Sequence, residues 1–139
     1  MNKKVIKGLR KIHKDYDAFF IDLWGVIHNG IHLNPEAIEV LKNLKKSKKR
    51  FTLMSNAPRP SKDVEKFLLK LKMNKVFTKY IFTSGQAALN SLNKKKYGKY
   101  FFHLGPKRDS SLFKNFEKNS KKLDKADFIL CTGFLEKHE

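Results

Sequence analysis

The sequence predicts an α/β fold built on a doubly wound parallel sheet. Short apolar runs alternate along the chain with segments whose apolar residues recur at helical spacing, as in Val64, Phe67, Leu68 and Leu71. The runs are too short to be helices, and they close on Asp, Ser, Asn or Gly, which puts polar groups at successive strand ends. The chain of 139 residues is 40% hydrophobic and 12% aromatic, the size of one domain with apolar material for a core.

The elements follow in order. Residues 1–14 carry Val5, Ile6, Leu9 and Ile12 at helix-like intervals among lysines, an amphipathic leader helix. Ala18 to Ile21 reads as a buried strand ending in Asp22, with a loop through Gly25, Asn29 and Gly30. Asn34 caps a helix with Pro35 in its first turn and Ile38, Leu41 and Leu44 as its stripe; Lys45 to Arg50 closes it. Phe51 to Met54 is the second strand, ending in Ser55-Asn56 and stopped by Pro58 and Pro60. Ser61 is placed to cap the next helix, and Tyr80 to Thr83 is the third strand. A helix through Ala87, Ala88, Leu89 and Leu92, a strand at Tyr100 to Leu104, a helix around Leu112, Phe113 and Phe116 and a strand at Phe128 to Cys131 complete the pattern. Right-handed crossovers between such strands bury both faces of a sheet, and ligand chemistry collects at the strands' C-terminal ends. Asp22 and Ser55-Asn56 would then face one crevice.

Composition narrows the function classes. The longest apolar stretches are far too short to span a bilayer and no apolar signal core follows the basic N-terminus, so no membrane partner is expected and the location expected is the cytoplasm. One cysteine, Cys131, can form no internal disulfide and has no zinc spacing; it reads as a small core hydrophobe. The net charge is +18, but 27 of the 31 basic residues are lysine and four are arginine, whereas bidentate phosphate recognition favours the guanidinium. Abundant Lys, Asn, Ile and Phe also match an A/T-rich coding sequence. Lys94 to Lys96 and Lys121-Lys122 read as solvated helix ends, with a nucleic-acid patch as the alternative. His28 reads as a turn residue and His103 as a satisfied core histidine.

The stretch Phe19-Phe20-Ile21-Asp22-Leu23-Trp24-Gly25-Val26-Ile27-His28-Asn29-Gly30 resembles the first motif of the haloacid dehalogenase (HAD) superfamily, an apolar strand followed by Asp-x-Asp-Gly-Thr/Val. Leu53-Met54-Ser55-Asn56-Ala57-Pro58-Arg59 is similar to the second motif, and Thr83-Ser84-Gly85-Gln86-Ala87 to the segment leading into the cap of its class IIA phosphatases. The resemblance implies a Rossmann-like core with an inserted α/β cap, and phosphomonoester hydrolysis through an aspartyl-phosphate on Asp22. It makes Asp22 the nucleophile and Ser55 and Asn56 the phosphate-binding residues. Mg²⁺ would be held by Asp22 and the backbone carbonyl of Trp24, with a small phosphorylated metabolite as substrate.

Trp24 stands where the family's second Asp acts as general acid and base, and indole cannot do that work. The Asp-x-Trp-Gly-Val pattern is similar to that of a class IIA subgroup of unassigned substrate; the alternative is that Trp24 shields the site or packs against the cap, with no catalytic role. The family also needs a later lysine and an acidic pair after a strand, and the close pair Asp124 and Asp127 precedes its strand. The expected organisation is residues 1–85 as the N-terminal part of the core and residues 86–139 as the beginning of a cap. On that reading the chain is a truncated or split form with weak or no activity and a possible separate downstream half. The alternative is a lysine-rich, non-catalytic binding protein for nucleic acid or anionic surfaces, recognised by binding that falls steeply with salt.

Overall fold

A computed structural model describes residues 8–134. The order is β1 (Ala18–Asp22), α1 (Pro35–Lys46), β2 (Arg50–Ser55), α2 (Ser61–Lys70), α3 (Lys75–Thr78), β3 (Ile81–Thr83), α4 (Ser84–Asn93), β4 (Phe101–Leu104) and β5 (Phe128–Cys131), with 3-10 turns between and before them. The fold is α/β with parallel strands, part of a Rossmann-like core. It divides into two compact units, Met1–Ser55 with Phe67–Ile81, and Asn56–Lys66 with Phe82–Glu139.

In the first unit β1 and β2 run parallel from Ala18↔Arg50 to Asp22↔Met54, and β2 is the middle strand in the order β1-β2-β3. Leu53 N–H donates to the Tyr80 carbonyl at 2.7 Å. Asn34 starts α1 as its sequence requires, its side-chain oxygen accepting from Glu36 N–H at 3.1 Å with Pro35 in the first turn. Leu41, Leu44, Phe51, Leu53, Leu68, Met73 and Phe77 are buried, and each such side chain contributes about 1.5–3 kcal/mol on transfer from water. The sequence reading passed over α3, although Asn74 was its signal: the Asn74 side chain accepts from Val76 N–H at 2.9 Å.

Two expectations for this unit change. The leader helix falls, up to residue 7, outside the described residues; from Leu9 on, the chain makes two 3-10 turns instead. Gly8 at φ +92° and Ile12 at φ −123° interrupt any continuous α-helix there. The sheet is not buried on both faces either. Phe19, Ile21, Phe51 and Leu53 lie on the covered side, whereas Phe20 is 79% and Met54 41% exposed on the other, because no element among the described residues lies over that face.

In the second unit β4 and β5 pair in parallel from Phe101↔Phe128 to Leu104↔Cys131. Leu92, Phe101, Leu112 and Phe113 form its core, with Ala88, Leu89, Phe116, Phe128 and Leu130 packed around them. The helix expected around Leu112 is a 3-10 segment, Lys107–Asn119, kinked at Phe113 and Phe116, which turns the Phe113 ring edge-on to Phe101 at 5.3 Å. Cys131 is exposed, not a core residue, since no described residue covers the outer face of β5. Ser61 does not cap α2. Pro60 holds the cap position, its carbonyl accepting from Asp63 and Val64, and the Ser61 hydroxyl is enclosed without a hydrogen-bond partner.

His103 is a packed histidine, as its strand position predicts. Its ring lies 4.6 Å from Phe113 and its Nε2 is hydrogen-bonded to Thr132 Oγ1 at 2.9 Å. Burial holds its pKa below the ordinary value, and the nearby Asp109 charge opposes that only in part. The unfolded chain therefore binds this proton near pH 6.5 and the folded chain only at lower pH, so stability is complete above that value and declines as pH falls below it. Urea denaturation from neutral pH to pH ~5 checks this: the His103→Gln variant should lose less of its midpoint than the parent, and equal losses would refute it.

Candidate active site

Parallel pairing places the last residues of β1 and β2 at one sheet edge. Asp22 pairs with Met54, and Ser55 is the next residue. The Leu23 N–H donates both to Asp22 Oδ1, at 2.8 Å, and to the Met54 carbonyl, at 3.1 Å. One carboxylate oxygen is thereby oriented by the backbone, and the side chain remains exposed. Ser55 is half-buried beside it, while Asn56, exposed, is the first residue of the second unit.

The loop after Asp22 is tightly built. Leu23 and Ile27 plug it from below, both 1% exposed. Ile27 and His28 N–H donate to the Leu23 carbonyl, and Gly25 N–H donates to the His28 carbonyl at 2.8 Å. Gly25 and Gly30 take φ values of +75° and +93°, which L side chains rarely adopt. The Trp24 ring lies across Gly30, where a Cβ would stand 2.9 Å from Cη2, and meets His28 edge-on at 5.5 Å. Trp24 is thus a packing residue of the loop, although still 64% exposed.

His28 is more than a turn residue. It is 6% exposed, held between the Trp24 and Phe67 rings, and its Nδ1 accepts from Gly30 N–H at 3.0 Å. Burial lowers its pKa, against the raising influence of Asp22. A neutral ring fits that acceptor role. The sequence signal was its position two residues before Gly30.

A second set of contacts fixes the loop that follows Ser55-Asn56, all within the second unit. Gly85 N–H donates to the Ala57 carbonyl at 3.1 Å, the Thr83 hydroxyl to the Arg59 carbonyl at 2.6 Å, and Ser61 N–H to Gln86 Oε1 at 3.3 Å. Thr83 also caps α4, accepting from Gln86 N–H. The motif expected to lead into a cap therefore clamps the Ala57-to-Ser61 loop, a role that sequence reasoning missed.

The Asp22 carboxylate and the Trp24 carbonyl are oxygen donors of the type a hard divalent cation takes. They are an incomplete set. Among the described residues no three His, Cys, Asp or Glu side chains group as metal ligands.

The model of the haloacid dehalogenase-like hydrolases matches residues 19–118. The chain belongs to this family. A hydrolase of the haloacid dehalogenase-like family from Brucella suis is similar in structure, with a TM-score of 0.77 and 25% identity over 95% of this chain and 48% of its own. The HAD fold is shared with a p-nitrophenyl phosphatase from Archaeoglobus fulgidus, with a TM-score of 0.64 and 21% identity over 81% of this chain and 43% of its own. It is shared too with a glycerol phosphate phosphatase from Mycobacterium tuberculosis in complex with magnesium, with a TM-score of 0.62 and 19% identity over 88% and 38%. The chain spans about half or less of the length of these HAD proteins. No curated protein matches it. No described helix is long and apolar enough to cross a membrane.

Proposed function

We propose that this HAD chain carries the nucleophile side of a phosphomonoester hydrolase acting on a small phosphorylated metabolite. The observation that carries the reading is the meeting of Asp22 and Ser55 at the C-terminal edge of adjacent parallel strands. Leu23 N–H holds Asp22 Oδ1, which leaves Oδ2 to attack phosphorus. The P–O bond to the substrate's alcohol breaks as the new bond forms, and water later cleaves the acyl phosphate to release inorganic phosphate. The Ser55 hydroxyl, with the backbone N–H of Asn56 next in the chain, would hold the phosphoryl oxygens. Asp22 and the Trp24 carbonyl would hold Mg²⁺, which when bound offsets charge on those oxygens.

Trp24 gives this chemistry a particular selectivity. Its indole N–H is far too weak an acid to protonate a departing alkoxide, so the leaving group must depart as the unprotonated anion. General acid catalysis is commonly worth about 10²–10⁴-fold. Aryl phosphates should therefore outpace alkyl phosphates by about 10²-fold or more, and overall turnover should be slow. Trp24→Asp should change the alkyl rate by less than about tenfold, because the variant also loses the packing on Gly30 and His28 and groups that act as one unit are not additive. The reading is tested by acid-quenching the chain with labelled phosphomonoester and Mg²⁺ and mapping the labelled peptide. Label on the peptide containing Asp22 supports it, and label elsewhere overturns it.

A further inference from the structure

The parallel pairing of β4 and β5 also brings together the segments that precede them, residues 94–100 and 120–127, at the opposite edge of the small sheet. Their backbones are firmly held. Asp127 Oδ2 accepts from the N–H groups of both Lys99 and Tyr100 at 2.8 Å, the Asn119 side chain donates to the Lys99 carbonyl at 2.9 Å, and Lys121 N–H donates to the Phe101 carbonyl at 2.8 Å. Gly98 turns at φ +119° against Asp127, where a Cβ would stand 2.5 Å from the Asp127 Cβ.

This edge gathers positive charge. Lys94 to Lys96 and Lys99 come from the first segment, and Lys121, Lys122 and Lys125 from the second; all are exposed. Their only acidic neighbours in the two segments are Asp124 and Asp127. The Asp127 carboxylate is engaged with backbone amides, whose hydrogen bonds hold its pKa below the ordinary value. Aromatic rings are interleaved with the lysines. Lys99 and Lys121, one from each segment, place Nζ 5.0 and 5.4 Å from the Tyr100 ring centre, Lys96 lies 5.1 Å from that of Tyr97, and Tyr97 is 58% exposed.

We propose that this edge is a docking surface for a single-stranded polynucleotide, bound without sequence preference. Exposed lysines on two converging segments present point charges to a phosphate backbone, and an exposed tyrosine among them offers a stacking face for an unpaired base. A duplex presents no free base face to Tyr97. An anionic membrane is the poorer partner, since Leu123 is the one exposed aliphatic side chain between the lysines and the surface contains no amphipathic helix. The surface lies in the second unit and is independent of the hydrolase reading.

The test is fluorescence anisotropy of the 139-residue chain with labelled oligo(U), oligo(dT) and a duplex of equal length, and flotation with phosphatidylserine vesicles. Lys96→Gln, Lys99→Gln, Lys121→Gln and Lys122→Gln are combined in one variant. Its control removes equal charge elsewhere, as Lys45→Gln, Lys46→Gln, Lys62→Gln and Lys70→Gln. Each lost phosphate contact lowers the salt slope for single strands by about 0.7, so between 50 and 200 mM salt the parent's affinity should fall about 50-fold more than the patch variant's. The control should keep the parent's slope. Tyr97→Ala should weaken oligo(U) and oligo(dT) about tenfold at unchanged slope and leave the duplex unaffected. Circular dichroism confirms that each variant folds. Equal losses in the patch variant and the control, an unchanged single-strand affinity in Tyr97→Ala, or vesicle binding without oligonucleotide binding would each overturn the proposal.

Discussion

Asp22→Asn should remove phosphomonoester turnover by this HAD chain, a loss of about 10³-fold or more, with the fold intact. The amide is nearly the same shape as the carboxylate, and its oxygen still accepts from Leu23 N–H, the contact that orients Asp22 Oδ1 at 2.8 Å. The negative charge that the proposed mechanism directs at phosphorus is gone. Thermal melts separate the two effects: an unchanged midpoint with lost Mg²⁺-dependent turnover of 4-nitrophenyl phosphate is the expected pair. Turnover that survives in Asp22→Asn comes from another site or another protein and defeats the assignment. On the proposed reading Trp24 offers no proton to the leaving group, so a low parent rate is expected and the comparison calls for an aryl ester.

Gly85→Ala should destabilise the second unit by about 2–3 kcal/mol, a cost of overpacking. Helix propensity alone predicts the opposite sign, since Ala is favoured over Gly in a helix by about 1 kcal/mol. Space decides against it. Gly85 lies in the first turn of α4, and a Cβ there would stand on the backbone N, C and O of Arg59, closer than real Cβ atoms come. Backbone cannot swing aside as a flexible side chain can. The Arg59 segment is also tied by the Thr83 hydroxyl and flanked by the Gly85-to-Ala57 hydrogen bond, so relief would break contacts that position the loop after Ser55. Urea denaturation reads the loss directly. A Gly85→Ala variant as stable as its parent would show that the Ala57-to-Ser61 loop gives way and is not clamped.

The alternation of short apolar runs with amphipathic segments determined the α/β class, and most strands and helices fall where local pattern puts them, because strand and helix periods and caps such as Asn34 are written in neighbouring residues. Asp22 and Ser55-Asn56 were legible as strand-end polar groups for the same reason. Sequence also singled out Trp24, which stands where the resemblance implies a carboxylate. Tertiary structure decided what those residues touch. The open face around Phe20, the exposure of Cys131 and the kinked 3-10 segment at Lys107–Asn119 depend on which surfaces find cover, and no local pattern states that. His28 became the buried keystone of its loop only when Phe67, distant in sequence, closed on its ring. Gly85 and Thr83 became a clamp because folding returned them to Arg59, and the lysines at 94–99 and 121–125 became one surface because β4 and β5 pair in parallel. Local propensity acts over a few bonds, whereas burial, close packing and the sum of charges act through space, and only the folded chain fixes which groups share it.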